Sequence, residues 1–230
     1  MKVKLLAHTP DPDFLCAVAA FTSWKKWSAA QLFKKLERKE AEDFLRMVLS
    51  FGHESVSEHA TFTFSIEGVS RACTHQLVRH RLASYTQQSQ RYVKFRKDEV
   101  EYVTPPSIAS NPELVKRYEK FMRNVAEEYE AFLKEGIPPE DARFLLPNAA
   151  TTNIVVTMNA RELNHFFRLR CCERTQWELR KVAEEMLKLV KKVAPVLFEK
   201  AGPGCVVGPC PEGKLTCGKI EEIREKYRRM

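Results

Sequence analysis

The sequence predicts an α+β fold, carried as a single domain over residues 1–230. Three observations lead there. Short segments with strand-type alternation (Lys2–Leu6, Ala60–Ile66, Asn153–Met158) stand among longer segments whose apolar residues recur at helical spacing. No internal repeat or Gly/Ser-rich linker divides the chain, in which glycine supplies only 8 of 230 residues. A composition 44% hydrophobic and 30% charged is that of a globular chain able to bury a substantial core.

Each element has a local reason. Lys2–Leu6 alternates as a first strand, after which Asp11 or Asp13 caps a short helix containing Phe14–Phe21. Glu37–Ser50 places Ala41, Phe44, Leu45, Val48 and Leu49 on one helical face, and Gly52 ends it. The run ATFTFSI, Ala60–Ile66, is a half-buried strand. Val69–Arg81 reads as a helix with Ala72, Cys73, Leu77 and His80 along one side. Glu101–Thr104 reads as a strand stopped by Pro105 and Pro106. Asn111 opens a helix through Leu133, with Glu113 in its first turn and Gly136 closing it. Pro138–Leu145 is a short helix, Asn153–Met158 a strand, and the chain is expected to be helical from Arg161 to about Lys200. A charged helix ends the chain.

Charge and composition exclude some classes. The longest apolar runs, such as FLCAVAAF, are too short to span a bilayer, and no basic-then-apolar signal opens the chain. A cytoplasmic protein is expected. A net charge of +8 suggests phosphate-bearing partners without naming a site. Of seven cysteines, Cys16 and Cys73 read as core residues and the adjacent Cys171 and Cys172 as unsuited to pairing with each other. Cys205, Cys210 and Cys217 lack the C-x-x-C spacing of a structural zinc site; a metal or, in an oxidised cytoplasm, a disulfide stays open, but buried free thiols and no metal are the expectation.

The segment with the most chemistry is RHRLASYTQQSQRY, Arg79–Tyr92, which holds three arginines, a histidine, two serines, two tyrosines and three glutamines. No Asp or Glu occurs between Gly68 and Lys97. A helix through Arg81 would present Gln76, Arg79 and His80 together, and the residues after it supply hydroxyl and amide groups. Arginine forks suit phosphate oxygens and a uracil-like carbonyl edge, so the cluster reads as a nucleotide site. A solvated basic face is the plainer reading, and it leaves the missing acids unexplained.

Two further patches accompany it. HESVSEH, His53–His59, lacks the four-residue histidine spacing of a metal helix and reads as a ligand-binding loop or as histidines bonded between helix and strand. In NARELNHFFRLR, Asn159–Arg170, Arg161 and His165 share a helical face. Arg170 follows Arg161 by nine residues, which at about 100° per residue places it on the opposite side.

Arg79-His80-Arg81 followed after seven residues by Ser89 resembles the signature of the flavin-dependent thymidylate synthase family. The GHES loop, ACTHQLVRHR, SQRY, ARFLLP, MNAR and the LR…QWE segment all fall in the family's order, so the resemblance covers nearly the whole chain. It implies a central antiparallel sheet flanked by helices, a homotetramer with active sites at subunit junctions, and conversion of dUMP to dTMP. Methylenetetrahydrofolate would give the carbon and NADPH the reducing equivalents, with bound FAD carrying electrons between them. The resemblance implies FAD binding by His53, Ser55, Arg79, His80, Arg81, Gln87, Asn159, Arg161 and His165. It implies dUMP binding by Gln76, Arg79, Gln88, Ser89, Gln90, Arg91, Arg143 and Arg170, with Arg170 also catalytic, facing the uracil N3–carbonyl edge. Gln87 stands where the family often has glutamate, and His165 where asparagine also occurs.

Two rivals follow from the same residues: an NADPH-oxidising flavoprotein that methylates no nucleotide, and a basic nucleic-acid-binding module using Arg71–Lys97. Interleaved hydroxyls and amides, with few stacking aromatics, argue against the second. Neither a membrane nor a nucleic acid is the expected partner.

Overall fold

Ser28 opens the first helix that the sequence pattern leaves hidden. Its side chain accepts from Gln31 N while Gln31 reaches back to the Ser28 N–H, a reciprocal cap for the helix Ala29–Lys35. That helix buries only Leu32. The computed structural model describes residues 1–95 and 98–230, so Arg96 and Lys97, the end of the basic stretch, lie outside the described residues.

The strands are β1 (Lys2–His8), β2 (Thr61–Ser70), β3 (Ala83–Gln87) and β4 (Thr151–Asn159). They form an antiparallel sheet in the order β1-β2-β4-β3, and with the helices make an α+β fold. The helices are α1 (Pro12–Thr22), α2 (Ala29–Lys35), α3 (Arg38–Ser50), α4 (Arg71–Leu77), α5 (Pro106–Ala109), α6 (Pro112–Lys134), α7 (Pro139–Ala142), α8 (Ala160–Arg170), α9 (Trp177–Val193) and α10 (Ile220–Arg228). No described helix is long and apolar enough to cross a membrane.

Contacts group the chain into two compact units. One comprises Met1–Lys2, Ile66–Arg79 and Thr86–Val155; the other comprises Val3–Ser65, His80–Tyr85 and Val156–Met230. In the first, Gly68 N donates to Asn153 Oδ1 at 3.1 Å and Gln88 N to Asn153 O at 2.8 Å, setting the register beside β4. Asn111 caps α6 by accepting from Glu113 N and Leu114 N, and Met122, Ala126 and Tyr129 form its buried stripe.

In the second unit, Thr9 N donates to Thr61 O at 3.0 Å and the Thr63 and Thr157 hydroxyls meet at 2.9 Å. Phe62, Phe64, Phe166, Phe167 and Phe198 are all fully buried there. Val18, Phe21 and Leu32 make a further cluster under α1–α3. Asp13 is buried, and its two oxygens accept from Val196 N at 2.9 Å and Leu197 N at 3.0 Å, tying α1 to the chain beyond α9. Asp11 occupies the position before α1 at φ 46°, yet its carboxylate caps nothing there: Arg38 takes both oxygens.

Several expected elements change. The helix Val69–Arg81 shrinks to Arg71–Leu77, because β2 runs on to Ser70, whose side chain then caps Cys73 N. Residues Ala83–Gln87 form a strand where only a polar loop was expected. Glu101–Thr104 contributes a single bridge, Tyr102 to Ala150, rather than a strand. The helix expected from Arg161 to Lys200 is two, broken after Arg170 by a turn and restarted where Gln176 caps Glu178 N and Leu179 N.

Candidate active site

With α4 ending at Leu77, Gln76, Arg79 and His80 no longer share one helical face. The candidate residues fall into two clusters, each within its own unit.

The first cluster surrounds Arg71, Arg91 and Arg143. Arg91 Nε and Nη2 reach Glu140 Oε2 at 3.0 and 2.9 Å, and Arg143 Nε donates to the Glu140 carbonyl at 3.1 Å. Arg71 donates to the Gln88 carbonyl, and burial first, then the charge of Arg143, holds its guanidinium below the usual range. Of these guanidinium groups only that of Arg91 pairs with a carboxylate, while Arg143 and Arg71 bond backbone carbonyls and sense each other's charge, so the group has cationic capacity to spare for an anion. Ser89 Oγ accepts from Arg91 N at 3.1 Å, so that hydroxyl shapes a turn. Gln88 accepts from Asn153 Nδ2, and Gln87 Nε2 donates to the hydroxyls of Thr74 and Thr152. Gln76 bonds back to the Ala72 carbonyl. Arg79 is exposed and Gln90 half-buried.

The second cluster is built on α8. Asn159 caps that helix by accepting from Glu162 N at 2.9 Å. Arg161 is exposed and clasped by Glu58 and Glu54 of the 3-10 turn that follows His53 and carries Ser55. His165 lies exposed, with its ring 6.0 Å from that of His80. Arg81 is exposed in the turn before β3. His80 itself is 5% exposed: Nδ1 lies 3.2 Å from Glu162 Oε1, and Nε2 lies 2.9 Å from Arg170 Nε. Arg161 and Arg170 therefore leave α8 toward different partners.

The residue after Arg170 is Cys171, which is fully buried; burial pushes its thiol up to about 12, and the Tyr227 hydroxyl donates to its carbonyl. All seven cysteines are free. Among the described residues no group of three or more His, Cys, Asp or Glu is placed to hold a metal.

The family described as thymidylate synthase complementing protein matches residues 4–196. The flavin-dependent thymidylate synthase of Geobacter sulfurreducens is 55% identical over 230 residues, covering 100% of this chain and 99% of that protein. Those of Pyrococcus horikoshii and Clostridium tetani are 49% and 46% identical, with coverage of 97% or more of both chains in each pair. This chain belongs to the flavin-dependent thymidylate synthase family. A UMP/dUMP methylase, PolB from Streptomyces cacaoi, crystallised with 5-Br dUMP, shares the fold at TM-score 0.73 and 24% identity, over 86% of this chain and 93% of that one.

Within this flavin-dependent thymidylate synthase family member, two candidate residues escape the sequence reading of the nucleotide site. Arg71 sits at the start of α4, where the expected longer helix hid its position. Glu162 reads as an ordinary first-turn acid, although it precedes Arg170 by eight residues, two i, i+4 steps along one helix row.

Burial first, then the charges of Arg170 and His165, lower the His80 pKa to about 4. An unfolded histidine titrates near pH 6.5, so between those values the unfolded chain binds the extra proton. Stability is therefore full above about pH 6.5 and falls by on the order of 3 kcal/mol as pH drops to about 4. Urea midpoints of the parent and of His80→Gln, which cannot titrate, should converge as pH falls across that window. A gap that stays constant would contradict it.

Proposed function

We propose that the protein is an enzyme that reductively methylates dUMP to dTMP as a flavin-dependent thymidylate synthase. The identity to relatives of that name over the whole chain carries the reading; the arginine clusters support it. Arg91 and Arg143 are assigned to the dUMP phosphate and Arg170 to the uracil N3–carbonyl edge, with Gln76, Arg79, Gln88, Ser89 and Gln90 completing the nucleotide contacts. Ser89 anchors rather than attacks, in keeping with its Oγ accepting a backbone N–H.

The donors around α8 fit a flavin. His53, Ser55, Arg161 and His165 are exposed and offer cationic and neutral hydrogen-bonding groups suited to phosphate and isoalloxazine oxygens. FAD is the proposed form, held by these residues with Arg79, His80, Arg81, Gln87 and Asn159. When bound it supplies the redox chemistry, and the chain's own task is orientation and charge stabilisation. Arg170 would stabilise negative charge developing on the pyrimidine as its C5 becomes nucleophilic, as preorganised donors do elsewhere. Methylenetetrahydrofolate is the proposed carbon donor and NADPH the reductant. A cytoplasmic homotetramer of this single 1–230 domain, with sites shared between subunits, completes the proposal.

The visible absorption spectrum of the purified protein, before and after addition of dUMP, tests this directly. The expected result is a flavin spectrum that shifts with dUMP. A flavin spectrum indifferent to dUMP favours a plain oxidoreductase, and a protein that stays colourless after incubation with FAD overturns both enzyme readings.

A further inference from the structure

We propose that Glu162 and His80 form a positioning pair for Arg170, fixing the direction of its guanidinium from the opposite end of the same helix. The inference rests on the reading of Arg170 as the group that faces the pyrimidine. It gives the His80 ring a task within the chain in addition to the flavin contact proposed for that residue.

The argument is one of donors and acceptors. Arginine Nε carries a hydrogen and no available lone pair, so its 2.9 Å contact with His80 Nε2 requires that nitrogen to be bare. A neutral imidazole then keeps its proton on Nδ1, and the acceptor 3.2 Å away is Glu162 Oε1. The hydrogen bonds run in one direction, from Arg170 through His80 to Glu162. The other tautomer would set an N–H against the Arg170 N–H and leave a lone pair facing a carboxylate. Both bonds therefore specify one ring state.

Packing fixes the ring's attitude as well. Glu162, Phe166 and Arg170 follow one another at four-residue steps, and the His80 ring stands edge-on to Phe166 at 4.9 Å. The Tyr85 hydroxyl donates to the His80 carbonyl at 2.9 Å. Glu162 is 6% exposed and lies in the first turn of α8; burial raises its pKa, against which His165 and the helix dipole favour its negative charge, and Arg170 lies in the last turn, where the dipole favours the positive one. Because the Nε edge of Arg170 is used, its plane is set while its two Nη groups have no hydrogen-bond partner among the described residues. Those groups are what a carbonyl edge would meet.

The titratable and charged groups facing the imidazole are Glu162, His165 and Arg170 of α8 and Tyr85 of β3. Protonation at Nε2 would break the Arg170 contact, and burial beside that guanidinium opposes it.

Nitrogen-15 NMR of histidine-labelled, full-length, flavin-loaded protein reads the tautomer without reference to activity. The proton is expected on His80 Nδ1, with Nε2 bare, from about pH 8 to about pH 5. A proton on Nε2, or a doubly protonated ring at neutral pH, overturns the pair. Glu162→Ala should then lower kcat for dTMP formation by about ten- to a hundredfold, with flavin content and the KM for dUMP changing less than about threefold. Glu162→Gln, whose Oε1 can accept the same N–H, should recover much of that loss. Turnover in Glu162→Ala within twofold of the parent, or a Gln variant no better than Ala, also overturns it. If the parent makes no dTMP, the chemistry assigned to Arg170 fails, whereas the tautomer is still read. The two failures are thus separable.

Discussion

Arg170→Ala is expected to lower dTMP formation at saturating dUMP by about a hundred- to a thousandfold, while weakening dUMP binding by less than about tenfold. The asymmetry follows from where the guanidinium is proposed to act. A donor aimed at charge that develops only during reaction contributes little to ground-state binding and much to the barrier. Arg170 is suited to that role because burial depresses its pKa only against a very high starting value, so it stays cationic at any working pH. It is also held: its Nε–H is committed to His80, which limits the reorganisation needed when charge appears. Arg170→Lys would keep a charge but lose the planar fork and the Nε anchor, and should recover only a minor part of the rate. Steady-state kinetics together with dUMP binding followed through the flavin absorbance would decide it. Equal losses in kcat and in dUMP affinity would reduce Arg170 to a plain binding residue.

Asp13→Ala should lower stability by about 3 kcal/mol, the largest single effect expected away from the arginines. The carboxylate is 8% exposed and accepts two backbone N–H groups, those of Val196 and Leu197, from nearly the other end of the chain. Alanine would leave both donors buried without partners, each at a cost of about 1–3 kcal/mol. Asp13→Asn keeps one acceptor oxygen and should cost about half as much. Urea unfolding of the two variants beside the parent measures both numbers. Near-equal midpoints for parent and Ala variant would mean that water replaces the carboxylate at no cost.

Legibility in the sequence tracked how many independent signals an element carried. The helix α6 had a cap at Asn111, an acid in its first turn and a glycine stop, and it lies where those signals put it. The strand ASYTQ offers no apolar face, only half-buried and exposed positions in alternation, so nothing in its pattern separates it from a loop. The helix α2 buries one residue, too few for periodicity to register. The break between α8 and α9, Cys171–Gln176, holds no glycine or proline to announce it. At the site, RHR with Ser89, and Arg91, Arg143 and Arg170, were visible as residue types waiting for an anion. Their carboxylate partners were not, because the acids come from far along the chain: Glu140 as counter-charge for Arg91, Glu162 as acceptor for His80. A thirty-residue window without carboxylates is thus only partly a window without carboxylate contacts.

The burial of Cys171 has a consequence for inhibition. An electrophilic ring traps a protein covalently only where a thiolate is available to add to it. Here the thiol nearest Arg170 in the chain is fully buried and its pKa is about 12, so it stays protonated and unreactive at any pH the protein would meet. A warhead aimed at that sulfur has nothing to react with. On the proposal that Arg170 faces the pyrimidine, a compound could instead gain residence time from reversible contacts, chiefly an anionic or carbonyl edge matched to the Nη groups of that guanidinium.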